Sequence, residues 1–265
     1  MADKEIKAEL EYWANRLYEK YGKNHIAYIA LYGSQNYDID TEHSDVDVKA
    51  IYVPAHEEAI FSSKRVSTTL YAMSGSHCEI KDIREMNEMF LKQNINFLEI
   101  LFTDYFIVNE QYSNEIYALR ANAKNIAICN KPKGLCSIAG QAQSAILSYQ
   151  KSNKPKTLAN IIFLYEFLAK YEHNYSYDLC LWSRMNFHAP IFKKQPFRNT
   201  ILALKNETLS KDEIAVIEEQ LPAISNYFVS TIAKYAADIN NPQPSFFETK
   251  NFLNKQALNM ILKNY

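Results

Sequence analysis

The chain has 265 residues, of which 48% are hydrophobic, and its formal net charge is −1. That length and apolar content exclude a disordered chain and suit one large domain or two modest ones. The balanced charge gives no whole-chain argument for nucleic acid, which would need a local basic patch.

In chain order, Ile6, Leu10, Trp13 and Leu17 recur at helical spacing, so the sequence predicts a helix over 3–21 that stops at Gly22. The run IAYIALY at 26–32 reads as a buried strand ending in Gly33-Ser34. Residues 45–53 alternate: Val46, Val48 and Ala50 face one way, Asp45, Asp47 and Lys49 the other, and Pro54 closes the strand. Two further strands are expected at 65–72 and 76–81. Asp82 is a natural N-cap for a helix carrying Ile83, Met86, Phe90 and Leu91. A short helix at 96–102 and one over 110–122 follow.

The stretch CNKPKG at 129–134 marks a boundary. Beyond it helices are expected at 135–150, 156–172, 210–221, 223–238 and 247–263. Ser210 and Glu213 have capping-box spacing, and Pro222 is expected to break or kink the chain. The reading is therefore α+β: a mixed sheet with flanking helices over 1–128, then a helical domain over 129–265. The four cysteines lack CxxC spacing and read as reduced packing residues, which points to the cytoplasm. The opening MADKEIKAEL has no apolar signal core. No run reaches the ~18 apolar residues of a membrane span, so no membrane partner is expected.

The chemistry sits between Gly33 and Glu79. A strand that ends in Gly-Ser leaves backbone N–H groups free for an anion such as phosphate, and Ser adds a hydroxyl. Asp45 and Asp47 share a strand face, where two carboxylates repel unless a cation lies between them. Hard oxygen donors suit Mg²⁺ or Mn²⁺, with waters and substrate phosphates as further ligands. A two-metal scheme wants a third carboxylate. Glu79 is the candidate, with Lys81 on its face, and Asp82 is the alternative. Read alone, Asp45-Val46-Asp47 is by default a solvated strand edge.

The stretch GSQNYDIDTEHSDVDVKAIYVP resembles the DNA polymerase β-like nucleotidyltransferases, and more narrowly a bacterial and phage branch of that superfamily. The later KDIREMNEMFLKQNINFLEILF is similar to the same branch. The resemblance is specific over about 33–102. It implies that Asp45, Asp47 and Glu79 are catalytic metal ligands and that Gly33 and Ser34 hold a triphosphate. Gln35 and Lys49, beside them in sequence, are further candidate nucleotide contacts. It implies transfer of an NMP from an NTP, expected to be ATP, to a hydroxyl, with release of pyrophosphate. The acceptor stays open, and family analogy favours an RNA end. Asp38 stands where the branch carries Gly, and the helix at 156–172 lacks the His and Arg expected of close relatives. A nucleotide-binding module without turnover, and a toxin-type modifier of tRNA or protein, are the alternatives.

The remaining polar groups read blandly. Lys49 suits a solvated strand position better than a phosphate ligand. His43 and His77 read as loop or strand residues. Lys124, Lys131, Lys133, Lys151, Lys154 and Lys156 read as solvated lysines, and Tyr149, Tyr165 and Tyr171 as core tyrosines. Trp182, Arg184 and His188 read as part of a packed irregular segment.

Overall fold

The computed structural model describes residues 3–42, 44–173 and 197–264. His43, Cys180, Trp182, Arg184 and His188 lie outside them. The chain divides into two compact units, one comprising Met1–Asn36, Glu42–Cys129 and Pro242–Tyr265, the other Tyr37–Thr41 and Asn130–Asn241.

The first unit is built on a five-stranded mixed sheet: β1 (Ile26–Tyr32), β2 (Asp47–Tyr52), β3 (Ser67–Tyr71), β4 (His77–Asp82) and β5 (Phe106–Val108). Their order is β3-β4-β2-β1-β5. Only β2 and β4 run parallel; the other neighbours are antiparallel. One face carries Ile29, Leu31, Val48, Ala50, Cys78 and Ile80, which pack on Ile6, Leu10, Trp13 and Leu17 of α1 (Asp3–Tyr21). Gly22, at φ 86°, then turns the chain out of that helix, as its position suggested. The opposite face of the same strands carries Tyr32, Asp47, His77, Lys49 and Glu79, because side chains alternate along a strand.

After α1, the next α helices of this unit in chain order are α2 (His56–Phe61), α3 (Ile83–Leu91), α4 (Ile95–Leu98), α5 (Ser113–Ala121) and α6 (Ala123–Ile128). Asp82 caps α3 as expected, accepting the Arg84 backbone N–H. The helix expected over 110–122 is a 3₁₀ turn at Glu110–Tyr112 followed by α5, and α6 was not foreseen. Neither were α2 and β5.

The second unit is helical: α7 (Lys131–Ser152), α8 (Pro155–Glu172), α9 (Phe197–Lys205), α10 (Lys211–Glu218) and α11 (Leu221–Tyr235). Asn130 caps α7 by accepting the Lys133 N–H, and Asn153 at φ 50° ends it. Tyr149 and Tyr171 are core residues, as expected. The Ser210–Glu213 capping box is present. Pro222 breaks nothing: it lies in the first turn of α11, where its missing N–H has no partner to lose.

The segment Tyr37–Thr41 belongs to this helical unit. Arg198 Nε donates to the Asp38 carbonyl at 2.7 Å, and Lys205 Nζ to the Ile39 carbonyl at 2.7 Å. Asp38 has φ 56°, the left-handed backbone that explains why a glycine is expected there.

The last helix, α12 (Pro244–Lys263), is grouped with the sheet and not with the helical half that precedes it. It packs on α3, where Asn87 Nδ2 donates to the Leu253 carbonyl at 2.9 Å.

Candidate functional site

Antiparallel pairing sets Tyr32, the end of β1, beside Asp47, the start of β2. The Gly33-Ser34 turn and the two aspartates therefore lie together at the same end of the two central strands. Parallel pairing of β2 with β4 places Val48 beside Cys78 and Lys49 beside Glu79, so Asp47 falls next to His77. Each of these side chains has a definite partner.

His77 is the residue the sequence undervalued. Its Nδ1 lies 2.6 Å from Asp47 Oδ1, and its backbone N–H donates to the same oxygen at 3.2 Å. A carboxylate only accepts, so the proton faces Asp47 on Nδ1, and in the neutral ring Nε2 takes the Tyr32 hydroxyl bond. Burial first, then the charges of Asp47, Glu79 and Glu99, push the Tyr32 phenol above its ordinary value and keep it a protonated donor. Asp47 is thereby held in one orientation from two sides of His77.

Asp45 precedes the strand and is exposed. Gln35 Nε2 donates to its carbonyl at 2.6 Å, so Gln35 braces the aspartate's backbone. Its carboxylate lies over Gly75 in the β3–β4 turn: a Cβ on Gly75 would fall 2.9 Å from Asp45 Oδ1. Gly75 also has φ 96°.

At the turn, the Gly33 N–H donates to Glu99 Oε1 at 2.9 Å, so this amide is taken by a buried carboxylate. Gly33 itself has φ 98° and open space around its missing side chain. Asn36 shapes the turn: its Nδ2 donates to the Leu31 carbonyl at 3.1 Å, and it accepts from Thr103 Oγ1 at 2.8 Å. Ser34 is half-buried beside it.

Lys49 departs most from its sequence reading. It is not solvated; only 2% of its side chain is exposed, and its Nζ lies 2.5 Å from Glu79 Oε2. Lys81 Nζ lies 3.6 Å from the other Glu79 oxygen, on the face expected for it. Asp82, the alternative third carboxylate, is fully buried and holds the Arg84 guanidinium.

Among the described residues no three His, Cys, Asp or Glu side chains converge in a way that would hold a metal ion. Asp45 and Asp47 still offer hard oxygen donors one residue apart. That set fits a single Mg²⁺ or Mn²⁺ that keeps waters and phosphates as its other ligands. Glu79, the expected third carboxylate, is paired with Lys49 and Lys81.

No protein-family profile and no curated protein sequence matches the chain. Among solved structures it is similar to a nucleotidyltransferase-like protein from Exiguobacterium sibiricum. The likeness spans 93% of this chain and 89% of that one, at 10% identity and a TM-score of 0.33. Among the described residues no helix is long and apolar enough to cross a membrane.

Proposed function

We propose that the protein is a nucleotidyltransferase that moves an NMP from an NTP, ATP first, to a hydroxyl and releases pyrophosphate. The observation that carries this reading is the placement of Asp45 and Asp47 at the end of the central strands beside the Gly33-Ser34 turn, which follows from the Tyr32–Asp47 pairing. Asp45 and Asp47 would hold Mg²⁺ or Mn²⁺, which when bound offsets charge on the phosphates and orients them for in-line attack. His77 and Gln35 act through the aspartates: one fixes the Asp47 carboxylate, the other the Asp45 backbone. Ser34 presents a hydroxyl donor to the departing pyrophosphate. An RNA end is the preferred acceptor.

The test is incubation with each of the four labelled NTPs, Mg²⁺ or Mn²⁺, and total RNA or total protein. Wild type is expected to transfer label, and the Asp45→Asn/Asp47→Asn variant to lose it by roughly 100-fold or more. If wild type labels nothing with any NTP, the transferase reading fails. A second reading, a nucleotide-binding module without turnover, draws on Glu99 taking the Gly33 amide. Calorimetric binding of ATP without label transfer would favour it.

Gly75→Ala tests the brace on Asp45 without touching any atom of a substrate. The new Cβ meets the Asp45 carboxylate at 2.9 Å and strains a turn at φ 96°. The expected outcome is a stability loss of about 1 kcal/mol in a urea melt. Transfer should fall by roughly 10- to 100-fold, since small misplacements of a catalytic group are costly.

A further inference from the structure

We propose that Lys49 is the resident cation of this site: its ammonium neutralises Glu79, and Asp45 and Asp47 alone are left to hold a divalent cation. The metal part of this inference rests on the nucleotidyltransferase reading; the Lys49–Glu79 part does not.

Four observations converge on it. The β2–β4 register sets Lys49 directly beside Glu79, so the contact is fixed by the sheet and needs no loop rearrangement. Lys49 Nζ lies 2.5 Å from Glu79 Oε2 and its side chain is almost wholly buried. The ammonium lies over two aromatic faces, 3.8 Å from the Tyr32 ring centroid and 4.2 Å from that of Phe97. Those rings attract the cation and exclude water, but offer no full hydrogen-bond acceptor, which makes Glu79 its charged partner. Lys81 Nζ stands 3.6 Å from the remaining Glu79 oxygen. A divalent cation binding Glu79 would have to approach two ammonium groups that already face the carboxylate. Repulsion at such distances in a half-buried site opposes it strongly.

The arrangement makes chemical sense on the strand. Lys49 is two residues from Asp47 on the same face, so a fixed positive charge stands beside the aspartates. Here a lysine, permanently bound and insensitive to chelators, supplies positive charge next to where phosphates would lie. The preceding row repeats the logic: His77 of β4 faces Asp47 as Glu79 faces Lys49, so both rows of this face pair across β2 and β4.

The experiment measures Mn²⁺ binding by electron paramagnetic resonance, with a non-hydrolysable ATP analogue, alongside thermal melts of the full chain. Glu79→Gln is expected to bind Mn²⁺ within about twofold of wild type but to melt roughly 10 °C lower, because a buried ammonium loses its counter-charge. Lys49→Met/Glu79→Gln removes both charges; it is expected to regain most of that loss and still bind Mn²⁺ like wild type. Asp45→Asn/Asp47→Asn is expected to weaken Mn²⁺ tenfold or more in a folded protein, since an amide oxygen at position 47 can still accept the two His77 N–H bonds. A tenfold loss of Mn²⁺ affinity in a folded Glu79→Gln or in the double variant would overturn the proposal. So would a Glu79→Gln protein that melts with wild type. Absence of Mn²⁺ binding in wild type would sink the transferase reading instead, while the melts still decide whether Lys49 depends on Glu79.

Discussion

Asp82→Ala is expected to destabilise the sheet-bearing unit by about 3 kcal/mol, read as a lower midpoint in urea. Asp82 is fully buried at the end of β4. One carboxylate oxygen accepts from the Arg84 backbone N–H and from Arg84 Nε, both at 2.9 Å, and the other accepts from Arg84 Nη2 at 2.6 Å. The residue therefore caps α3 and pairs a guanidinium in a two-pronged geometry. Alanine removes the cap and strips Arg84 of its counter-charge together. The hydrogen bonds to Asp82, offset by burial, raise the Arg84 pKa, the mark of a cation that the carboxylate stabilises. Arg84 keeps some exposure and a bond to the Ala59 carbonyl at 3.2 Å, which holds the loss near the lower end for a broken buried pair. Asp82→Asn retains the cap acceptor and is expected to cost about half as much. A variant with wild-type stability would mean that the carboxylate is not the anchor described here. The same contacts place three Arg84 N–H groups on the Asp82 carboxylate.

The sheet and its polar end were legible because both rest on local signals. The unbroken apolar run at 26–32 and the alternation after Asp45 report strand burial directly. Asp82 and Ser210 were legible as caps for the same reason, since a cap is a short-range bond. What escaped is either too short or too distant. Strand β5 has three residues, fewer than any periodicity needs. The expected helix over 110–122 ends where α5 does, and the six residues of α6 that follow are too few to show a period. Helix α12 is a sound helix in sequence, but nothing local says that Leu253 will meet Asn87, 166 residues earlier.

The site shows the same division. Gly33, Ser34, Asp45 and Asp47 are named by their spacing; their partners are not. Glu99 reaches the Gly33 amide across 66 residues, and His77 reaches Asp47 across 30. One signal was available for the second contact. Asp47-x-Lys49 and His77-x-Glu79 are complementary pairs at the period of a strand, and laid side by side they set a donor against each acceptor. Reading the two expected strands as neighbours would have exposed the register and with it the burial of Lys49. An isolated lysine on an alternating strand suggests solvent; a lysine aligned with a glutamate on the adjacent strand suggests a pair.

Trp13→Ala is the second substitution expected to have a large effect, about 3–5 kcal/mol. Trp13 is the largest fully buried side chain of the core face, on the helix that backs the sheet carrying the site. Its ring meets Tyr12 edge-on at 5.4 Å and lies beneath the Arg16 guanidinium at 5.0 Å. Truncation removes those contacts and opens a cavity against β1, β2 and β4 that rigid strands cannot collapse to fill. The first melting transition should fall by roughly 10 °C. Trp13→Phe separates packing from polarity. Trp13 Nε1 is buried and has no hydrogen-bond partner among the described residues. Phenylalanine keeps much of the ring and deletes that unpaired donor, which offsets part of the lost volume. It is therefore expected to cost under half of the alanine loss. Equal losses for the two variants would show instead that the indole's full volume, and not its burial as an aromatic ring, is what holds α1 against the sheet.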